Sequence, residues 1–465
     1  MPSRPEKLNR KQCERARRAR DARFDGRFFT AVKTTGIYCR PICPANQPLE
    51  KNVDYYASAI SAAQAGYRPC LRCRPDSAPD SCAWLGTQTT FQRALRLIQQ
   101  GELQQGSLSE LAERLGISDR YLRNLFHENL GTSPKQYAVY QQCLFAKQLL
   151  HETSLPVTEI AFASGFNSVR RFNEAMQQQM HLSPSRIRKS DVPTTSSLRL
   201  KLYYRPPYAW QEMLEFLARR LVPGLEWVSE DGYGRTLQLG DTVGWMQLSQ
   251  ASGEHHLWLE LQLNRHENLN VITQRIKALF DVDAPIDAID EQLQALLGES
   301  LAYLPGLRVP GIWSHFEAGV RAILGQQVSV AAARNLVQSL VTELGEEIPL
   351  PGGAAGFLFP SPDAVLDSDL GFFKMPQARK DTVHRLARHL LESEAPDNID
   401  AWSDIKGIGP WTVAYVKMRA VKDPDVWLSG DAGIRNALQL VEPALNADAA
   451  SPWRSYLTFQ LWNQL

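Results

Sequence analysis

Between residues 88 and 190 the apolar residues recur at helical spacing, and the periodicity is broken twice by a short turn that contains glycine. In Leu108-Ser109-Glu110-Leu111-Ala112-Glu113-Arg114-Leu115-Gly116-Ile117-Ser118 a first helix is predicted to end at Gly116. Ser118 can then cap a second helix carrying Arg120, Tyr121, Arg123, Asn124 and His127. The same grammar returns about 50 residues later, where Val157-Thr158-Glu159-Ile160-Ala161-Phe162-Ala163-Ser164-Gly165-Phe166 is followed by Asn167-Ser168 and then Arg170, Arg171 and Asn173. A polar, proline-containing break at 190–197 ends this region. Beyond it the period becomes two: Ser197-Leu198-Arg199-Leu200-Lys201-Leu202 and His256-Leu257-Trp258-Leu259-Glu260-Leu261 alternate and predict a small β-rich segment. From about residue 285 the spacing is helical to the end. Within that stretch Ile405-Lys406-Gly407-Ile408-Gly409-Pro410-Trp411-Thr412 reads as a Gly-x-Gly turn between two helices, a helix-hairpin-helix. The patterns predict a multi-domain, mainly α chain divided at 1–80, 85–190, 198–284 and 285–465.

Bulk numbers agree with several domains, because 465 residues with 44% hydrophobic content can fill three or four cores. The formal net charge of +1 conceals a division. Residues 1–190 hold 28 Lys and Arg against 16 Asp and Glu, and the remainder holds 23 against 34. The first part reads as nucleic-acid binding. The acidic remainder does not exclude DNA, since backbone amides and a local basic patch can hold phosphate. The basic N-terminus lacks the apolar core of a signal peptide, and no stretch approaches the length of a membrane span, so a cytoplasmic protein without a membrane partner is expected.

The seven cysteines fit a reducing compartment better than a disulfide framework. Cys13, Cys82 and Cys143 have no recognisable spacing and read as ordinary side chains. The other four stand as Cys39-x3-Cys43 and Cys70-x2-Cys73, a pattern that can close a tetrahedron of thiolates around zinc. Taken alone, that pattern describes a structural staple. Lys33, Arg40, Arg68, Arg72 and Arg74 crowd it with cations suited to phosphate, and a zinc-bound thiolate is also a nucleophile.

Thr34-Thr35-Gly36-Ile37-Tyr38-Cys39-Arg40-Pro41 and Tyr67-Arg68-Pro69-Cys70-x-Arg72-Cys73 resemble the N-terminal domain of the Ada methylation-response family, over roughly residues 5–80. The resemblance implies a small zinc-binding α+β domain ligated by Cys39, Cys43, Cys70 and Cys73. It further implies that Cys39 accepts a methyl group from a DNA phosphotriester, with Thr35 and Arg68 facing DNA. Asn46 stands where that family often has arginine. The two turn-containing units resemble the AraC-type DNA-binding domain, which implies that Arg120, Arg123, Arg170 and Arg171 enter major grooves of promoter DNA. RNA polymerase is a candidate second partner. A plain helical bundle with solvated arginines is the bland alternative.

Asp431, in Trp427-Leu428-Ser429-Gly430-Asp431-Ala432-Gly433-Ile434, follows the hairpin about 20 residues on. That arrangement resembles the helix-hairpin-helix DNA glycosylases. Pro206-Pro207-Tyr208-x-Trp210, Gly319-Val320-Arg321-Ala322-Ile323-Leu324-Gly325-Gln326 and Pro452-Trp453-Arg454-Ser455-Tyr456 extend the likeness to the AlkA family over nearly all of 198–465. The resemblance implies a β-rich subdomain followed by the helical domain, Asp431 as catalytic carboxylate, and Trp411, Tyr415 and Trp462 around the base. It also implies a hairpin formed by Gly407, Gly409 and Thr412 at the DNA backbone. Gln327 occupies the position at which that family commonly wedges a leucine into the stack. The residue types suit the chemistry. A carboxylate stabilises the positive charge that develops on the sugar, and aromatic faces attract a base made cationic by alkylation at a ring nitrogen. Trp411 replaces the lysine of the strand-cleaving lyases and cannot form a Schiff base, so a monofunctional glycosylase is expected.

These readings combine into one alkylation-response protein: a suicidal methyl-phosphotriester sensor, a transcription regulator and a 3-methyladenine-type glycosylase acting on double-stranded DNA. No Pro-Cys-His-Arg motif of the O6-alkylguanine transferases occurs. One rival is a methylation-responsive transcription factor whose glycosylase fold only binds DNA. Another is a glycosylase whose first two modules are mere anchors.

Overall fold

The computed structural model describes residues 9–21, 24–25, 27–70, 72–73, 89–188, 197–230, 232–298, 301–393, 396–439 and 445–464. Arg74, Cys82 and residues 190–196 of the polar break lie outside them. The chain forms two compact units, Met1–Pro206 with Ala251–Lys277 and Val282–Pro285, and Pro207–Gln250 with Ala278–Asp281 and Ile286–Leu465.

The first unit opens on the helix Arg10–Ala19, started by a reciprocal capping box between Asn9 and Gln12, which lays Cys13 and Ala16 against Phe28. Four strands follow in the spatial order Val53–Tyr56, Phe29–Val32, Ile37–Cys39, Arg68–Pro69. Ile37–Cys39 pairs antiparallel with Phe29–Val32 and parallel with Arg68–Pro69, Tyr38 lying opposite Pro69. A parallel register keeps equivalent residues level, so the next residues, Cys39 and Cys70, leave the sheet side by side.

The helices Thr89–Gln99, Leu108–Arg114 and Asp119–Leu130 precede the long helix Pro134–Glu152, and Val157–Ala163 and Val169–Met180 follow it. Ser107, Ser118, Ser133 and Ser168 each cap a helix by accepting a backbone N–H. Such a cap contributes about 1 kcal/mol. Gly116 and Gly165 turn the chain at φ +69° and +85°, which favours a residue without Cβ. Both predicted helix-turn-helix units are therefore present. They lean on Pro134–Glu152, which buries Tyr137, Tyr140, Cys143, Leu144, Ala146, Leu149 and Leu150 and so serves as a spine. An antiparallel strand pair, Leu198–Tyr203 with His256–Leu263, also belongs to this unit. Leu200 faces Leu259 and Leu202 faces Leu257, all buried, while Arg199 and Lys201 lie over Trp258, which is the alternation the sequence predicts.

In the second unit Glu226–Val228, Gly232–Leu239 and Thr242–Gln250 form antiparallel ladders. Helices take over from Ile286, and the buried helix His315–Leu324 runs through their core, packing Val320, Ile323 and Leu324 among Leu340, Val341, Leu386 and Trp402. One short hairpin, Glu347–Pro349 with Ala355–Phe357, interrupts the stretch expected to be wholly helical. Strands of three residues are too short to show a period of two. A buried ionic network ties sheet to helix: Arg235 reaches Glu317 at 2.8 Å, Arg321 reaches Glu317 and Glu226 at 2.9 Å, and the Tyr233 hydroxyl donates to Glu226 at 2.8 Å. Among the described residues no helix is long and apolar enough to cross a membrane.

Candidate active site and metal centre

The sulfurs of Cys39, Cys43, Cys70 and Cys73 all lie within 4.8 Å of one another. The paired strand ends deliver Cys39 and Cys70, and a turn closed by the Cys43 N–H donating to the Arg40 carbonyl at 3.2 Å returns Cys43 to them. Backbone N–H groups of Arg40 and Arg72 donate to the sulfurs of Cys73 and Cys70 at 3.3 and 3.4 Å. The thiols act strongly on one another. Hydrogen bonding from Cys39 holds Cys70 far below the ordinary thiol range and Cys43 down to about 7, whereas Cys39, bonded to Cys43 and Cys70, is pushed up. Burial raises Cys73. Four sulfurs this close can all be thiolates only around a cation, and a set of four soft donors suits zinc. Bound there, zinc keeps the sulfurs deprotonated and nucleophilic at neutral pH.

Cys39 and Cys43 are half-buried, and Cys70 and Cys73 are buried. Thr35 and Arg72 are exposed near them and Arg68 is half-buried. Arg40 departs from its expected place among the phosphate-facing cations. It lies just past the strand end at Cys39 and is buried, donating from Nε to Asp25 at 2.8 Å, with its guanidinium 4.7 Å from the Tyr203 ring centre. Lys33 is exposed but paired with Asp54 at 3.1 Å. Two further contacts run from the cluster to the spine helix: Lys147 Nζ donates to the Cys70 carbonyl at 3.2 Å, and the phenols of Tyr38 and Tyr140 are hydrogen-bonded.

Arg120 and Arg123 on Asp119–Leu130, and Arg170 and Arg171 on Val169–Met180, are exposed, as are Asn124 and Asn173. Their buried counterparts, Leu122, Leu125 and Phe126 on one helix and Phe172 and Met176 on the other, fix which face turns outward. Arg170 is tethered to Glu174 at 2.9 Å and Asn124 to Glu128 at 2.8 Å.

Asp431 caps the helix Ala432–Leu438 in the second unit. Its Oδ1 accepts the Ile434 N–H at 3.1 Å and the Trp462 indole N–H at 2.9 Å, and its Oδ2 accepts the Trp411 indole N–H at 3.1 Å. Tyr415 stacks on Trp411 with centroids 5.2 Å apart. The structure thus gathers all four residues named for this site. It adds others that carry no motif. Phe216 lies parallel to Trp462 at 6.3 Å and Phe459 meets it edge-on at 5.0 Å. Arg220 sits 3.8 Å over Phe216, and burial, then Arg419, bring its guanidinium down to about 10. Arg419 is buried in a single π-helical turn, Lys417–Val421, where Nε donates to the Pro310 carbonyl at 2.6 Å and a terminal nitrogen donates to the Tyr415 oxygen at 3.2 Å.

Gly407 turns the hairpin at φ +100°, and a Cβ there would come within 2.1 Å of Thr382 Oγ1. Gly409 caps Pro410–Val416 without a side chain, leaving the start of that helix uncovered. Thr412 is placed inward: it is buried, and its hydroxyl oxygen accepts the Gln326 amide at 3.3 Å. The same amide donates to the Gly407 carbonyl at 3.2 Å, and Arg379 donates to the Gln326 carbonyl at 2.9 Å. Gln327, the next residue, is exposed.

The sequence matches three families: the metal-binding domain of Ada over residues 12–76, a helix-turn-helix domain over 111–190, and the AlkA N-terminal domain over 199–314. It is 35% identical to a probable bifunctional transcriptional activator/DNA repair enzyme AlkA of Mycobacterium tuberculosis, across 98% of this chain and 96% of that protein. It is 33% identical to DNA-3-methyladenine glycosylase 2 of Escherichia coli, over 56% of this chain and 95% of that one. To the bifunctional transcriptional activator/DNA repair enzyme Ada of Escherichia coli it is 40% identical over 28% of this chain and 35% of that protein.

Proposed function

The chain belongs to the family of bifunctional transcriptional activator/DNA repair enzymes that join an Ada-type zinc domain and helix-turn-helix units to an AlkA-type glycosylase, and on that premise we propose that it excises alkylated bases with Asp431. One observation carries the reading: both carboxylate oxygens of Asp431 are held by N–H donors, two of them from the tryptophans whose rings flank it. Donors on both oxygens orient the group, and the carboxylate then faces the sugar carbon as the bond to the base lengthens and positive charge develops. Water adds to that carbon on departure of the base. An outer face of the Trp411–Tyr415 stack receives the extruded base, and a cation such as 3-methyladenine gains from the aromatic quadrupole. With a tryptophan at 411 there is no amine to form a Schiff base, so the bond is hydrolysed without strand cleavage.

In the first unit Cys39 accepts the methyl group. Its sulfur forms a bond to the methyl carbon as the carbon–oxygen bond of the phosphotriester breaks, leaving a diester on DNA and a thioether on the protein. Four thiolates around zinc carry about −2 and three thiolates with one thioether about −1, so repulsion from phosphate falls. DNA affinity rises accordingly, and the exposed arginines of the two turn-containing units hold promoter DNA. Acting on chromosomal DNA, the protein works in the cytoplasm.

The deciding experiment is release of free 3-methyladenine from alkylated duplex DNA by the parent and by Asp431→Asn. The parent should release it, with the variant slower by about a thousandfold or more. No release by either protein would leave the second unit as a DNA-binding module.

A further inference from the structure

Gln327 stands at the tip of the turn between His315–Leu324 and Val330–Leu344. Four observations set it apart from an ordinary loop glutamine. Its backbone is left-handed, at φ +57°, a conformation that side chains other than glycine rarely adopt. It is exposed, and its amide makes no hydrogen bond among the described residues. The two residues around Ser329, Val328 and Val330, are apolar yet 38% and 48% exposed. Finally, the turn is pinned from behind: Gln326 donates to Gly407 and Thr412, and Arg379 donates to Gln326. Gly407 and Thr412 belong to the hairpin whose helix carries Trp411, and Trp411 reaches Asp431. A rigid polar tip with apolar shoulders is thus fastened to the element that bears the active site.

When a base leaves the duplex, the space it vacates must be filled and its former partner is left with bare hydrogen-bonding groups. A leucine at the tip would fill the space and ignore those groups. A glutamine cannot be neutral to them, because an amide buried in the stack without partners is heavily penalised. It carries one donor group and one acceptor, the set needed to meet the N3–H and O4 of thymine or, with the amide turned over, the N4–H and N3 of cytosine. We infer that Gln327 enters the vacated position and hydrogen-bonds the Watson–Crick edge of the base left on the opposite strand, with Val328 and Val330 covering the flanking stack. Gln327 is then the residue that holds the base opposite the lesion, its amide turned to suit that base. The inference rests on the glycosylase reading above.

The test uses the full chain with duplexes that contain a pyrrolidine abasic analogue, a stable cation in place of the reacting sugar, with undamaged duplex as competitor. No base pair exists at that position, so nothing has to be broken before the tip enters. Opposite the analogue lies either thymine or 2,4-difluorotoluene, which has the shape of thymine and almost none of its hydrogen bonding. The parent should bind the thymine duplex about tenfold tighter, the effect of one or two neutral hydrogen bonds, and Gln327→Leu should bind both alike. Equal binding of the two duplexes by the parent, or an undiminished thymine preference in Gln327→Leu, would overturn the inference. Failure of the glycosylase reading is distinct: the parent would then show no preference for either pyrrolidine duplex over undamaged DNA.

Discussion

At the scale of single residues the proposed site separates what each tryptophan gives to Asp431 from what it would give to the base. Trp411→Phe keeps a ring to stack on Tyr415 but removes the N–H that Oδ2 accepts, and Trp462→Phe does the same for Oδ1. A hydrogen bond to a charged group is worth about 1.5–3 kcal/mol, so each phenylalanine variant should lose about tenfold to a hundredfold in kcat. Lesion KM should change little, because the stacking face survives. Trp411→Ala should raise KM as well. Single-turnover and steady-state kinetics on one alkylated duplex separate the two, and a kcat unchanged in both phenylalanine variants would mean that the indole donors do not serve catalysis. Asp431 stood out in the sequence because a hairpin and an aspartate at a set distance form a local pattern, whereas its two tryptophans came only from the resemblance to the AlkA family. Phe216, Arg220 and Arg419 were not legible. Phe216 is an aromatic residue of an ordinary helix, Arg220 follows that helix and Arg419 sits in the π-helical turn, and only packing brings the Trp210–Ala218 helix against the rings of Phe459 and Trp462. Arg40 misled for the opposite reason. A cation beside a cysteine cluster looks solvent-facing until Asp25, 15 residues upstream and without a motif, is found beneath it.

At the scale of elements, hydrophobic period carried the prediction for many of the longer elements, but the helices Trp210–Ala218 and Leu269–Leu279 fall inside the stretch read as β-rich. Both turn-containing units, the Leu198–Tyr203 strand and the helices after Ile286 stand where the spacing placed them. On the proposed reading the hairpin carries the second unit's DNA contact, and Gly407 is its tightest position. Gly407→Ala would place a methyl 2.1 Å from Thr382 Oγ1 and force a left-handed backbone onto alanine. The combined cost should be about 2 kcal/mol or more, visible as a lowered melting temperature and weakened binding to the pyrrolidine duplex. Wild-type affinity and stability would mean that the turn tolerates both. The network joining Gly232–Leu239 to His315–Leu324 was invisible in sequence, since Glu226, Arg235, Glu317 and Arg321 look like surface charges until the first three are seen buried and Arg321 half-buried against them. Burial alone would push the Glu317 carboxyl up, but Arg235 and Arg321 more than reverse this and hold it below the ordinary glutamate range. A carboxyl lowered in the folded state stabilises above its unfolded pKa, and that stability disappears as pH falls through the folded value. Glu317→Gln should therefore destabilise the protein by about 3–5 kcal/mol at neutral pH, and the difference from the parent should shrink as pH drops below about 4. Urea unfolding at pH 7 and at pH 3.5 reads both parts, and a difference independent of pH would rule the linkage out.

At the scale of the whole molecule the charge division acquires a structural meaning. Most of the cationic excess lies at residues 1–190, which belong to the first unit, where the zinc cluster, the spine helix and both exposed arginine pairs also lie. That unit is bound together through the metal site. The Cys70 carbonyl holds Lys147, Tyr38 holds Tyr140, and Arg40 links Asp25 to the carbonyl of Cys73. Four thiols that crowd within 4.8 Å have no stable shared protonation state without a cation, so stripping the metal should force them apart and withdraw these anchors from the spine. Asp431 and each of its donors, in contrast, belong to the second unit. Exhaustive chelation under reducing conditions should therefore abolish methyl acceptance at Cys39 and strip hydrogen-exchange protection from Ile37–Cys39. It should also lower protection along residues 137–150 of the spine, with promoter binding weakened. Release of 3-methyladenine from alkylated duplex by the same chelated sample should persist. If protection along the spine stayed unchanged, the contacts at Lys147 and Tyr140 would not carry the metal's stabilising effect into the helix-turn-helix region. If base release vanished together with the metal, catalysis at Asp431 would depend on the zinc module in a way that its own hydrogen bonds do not reveal.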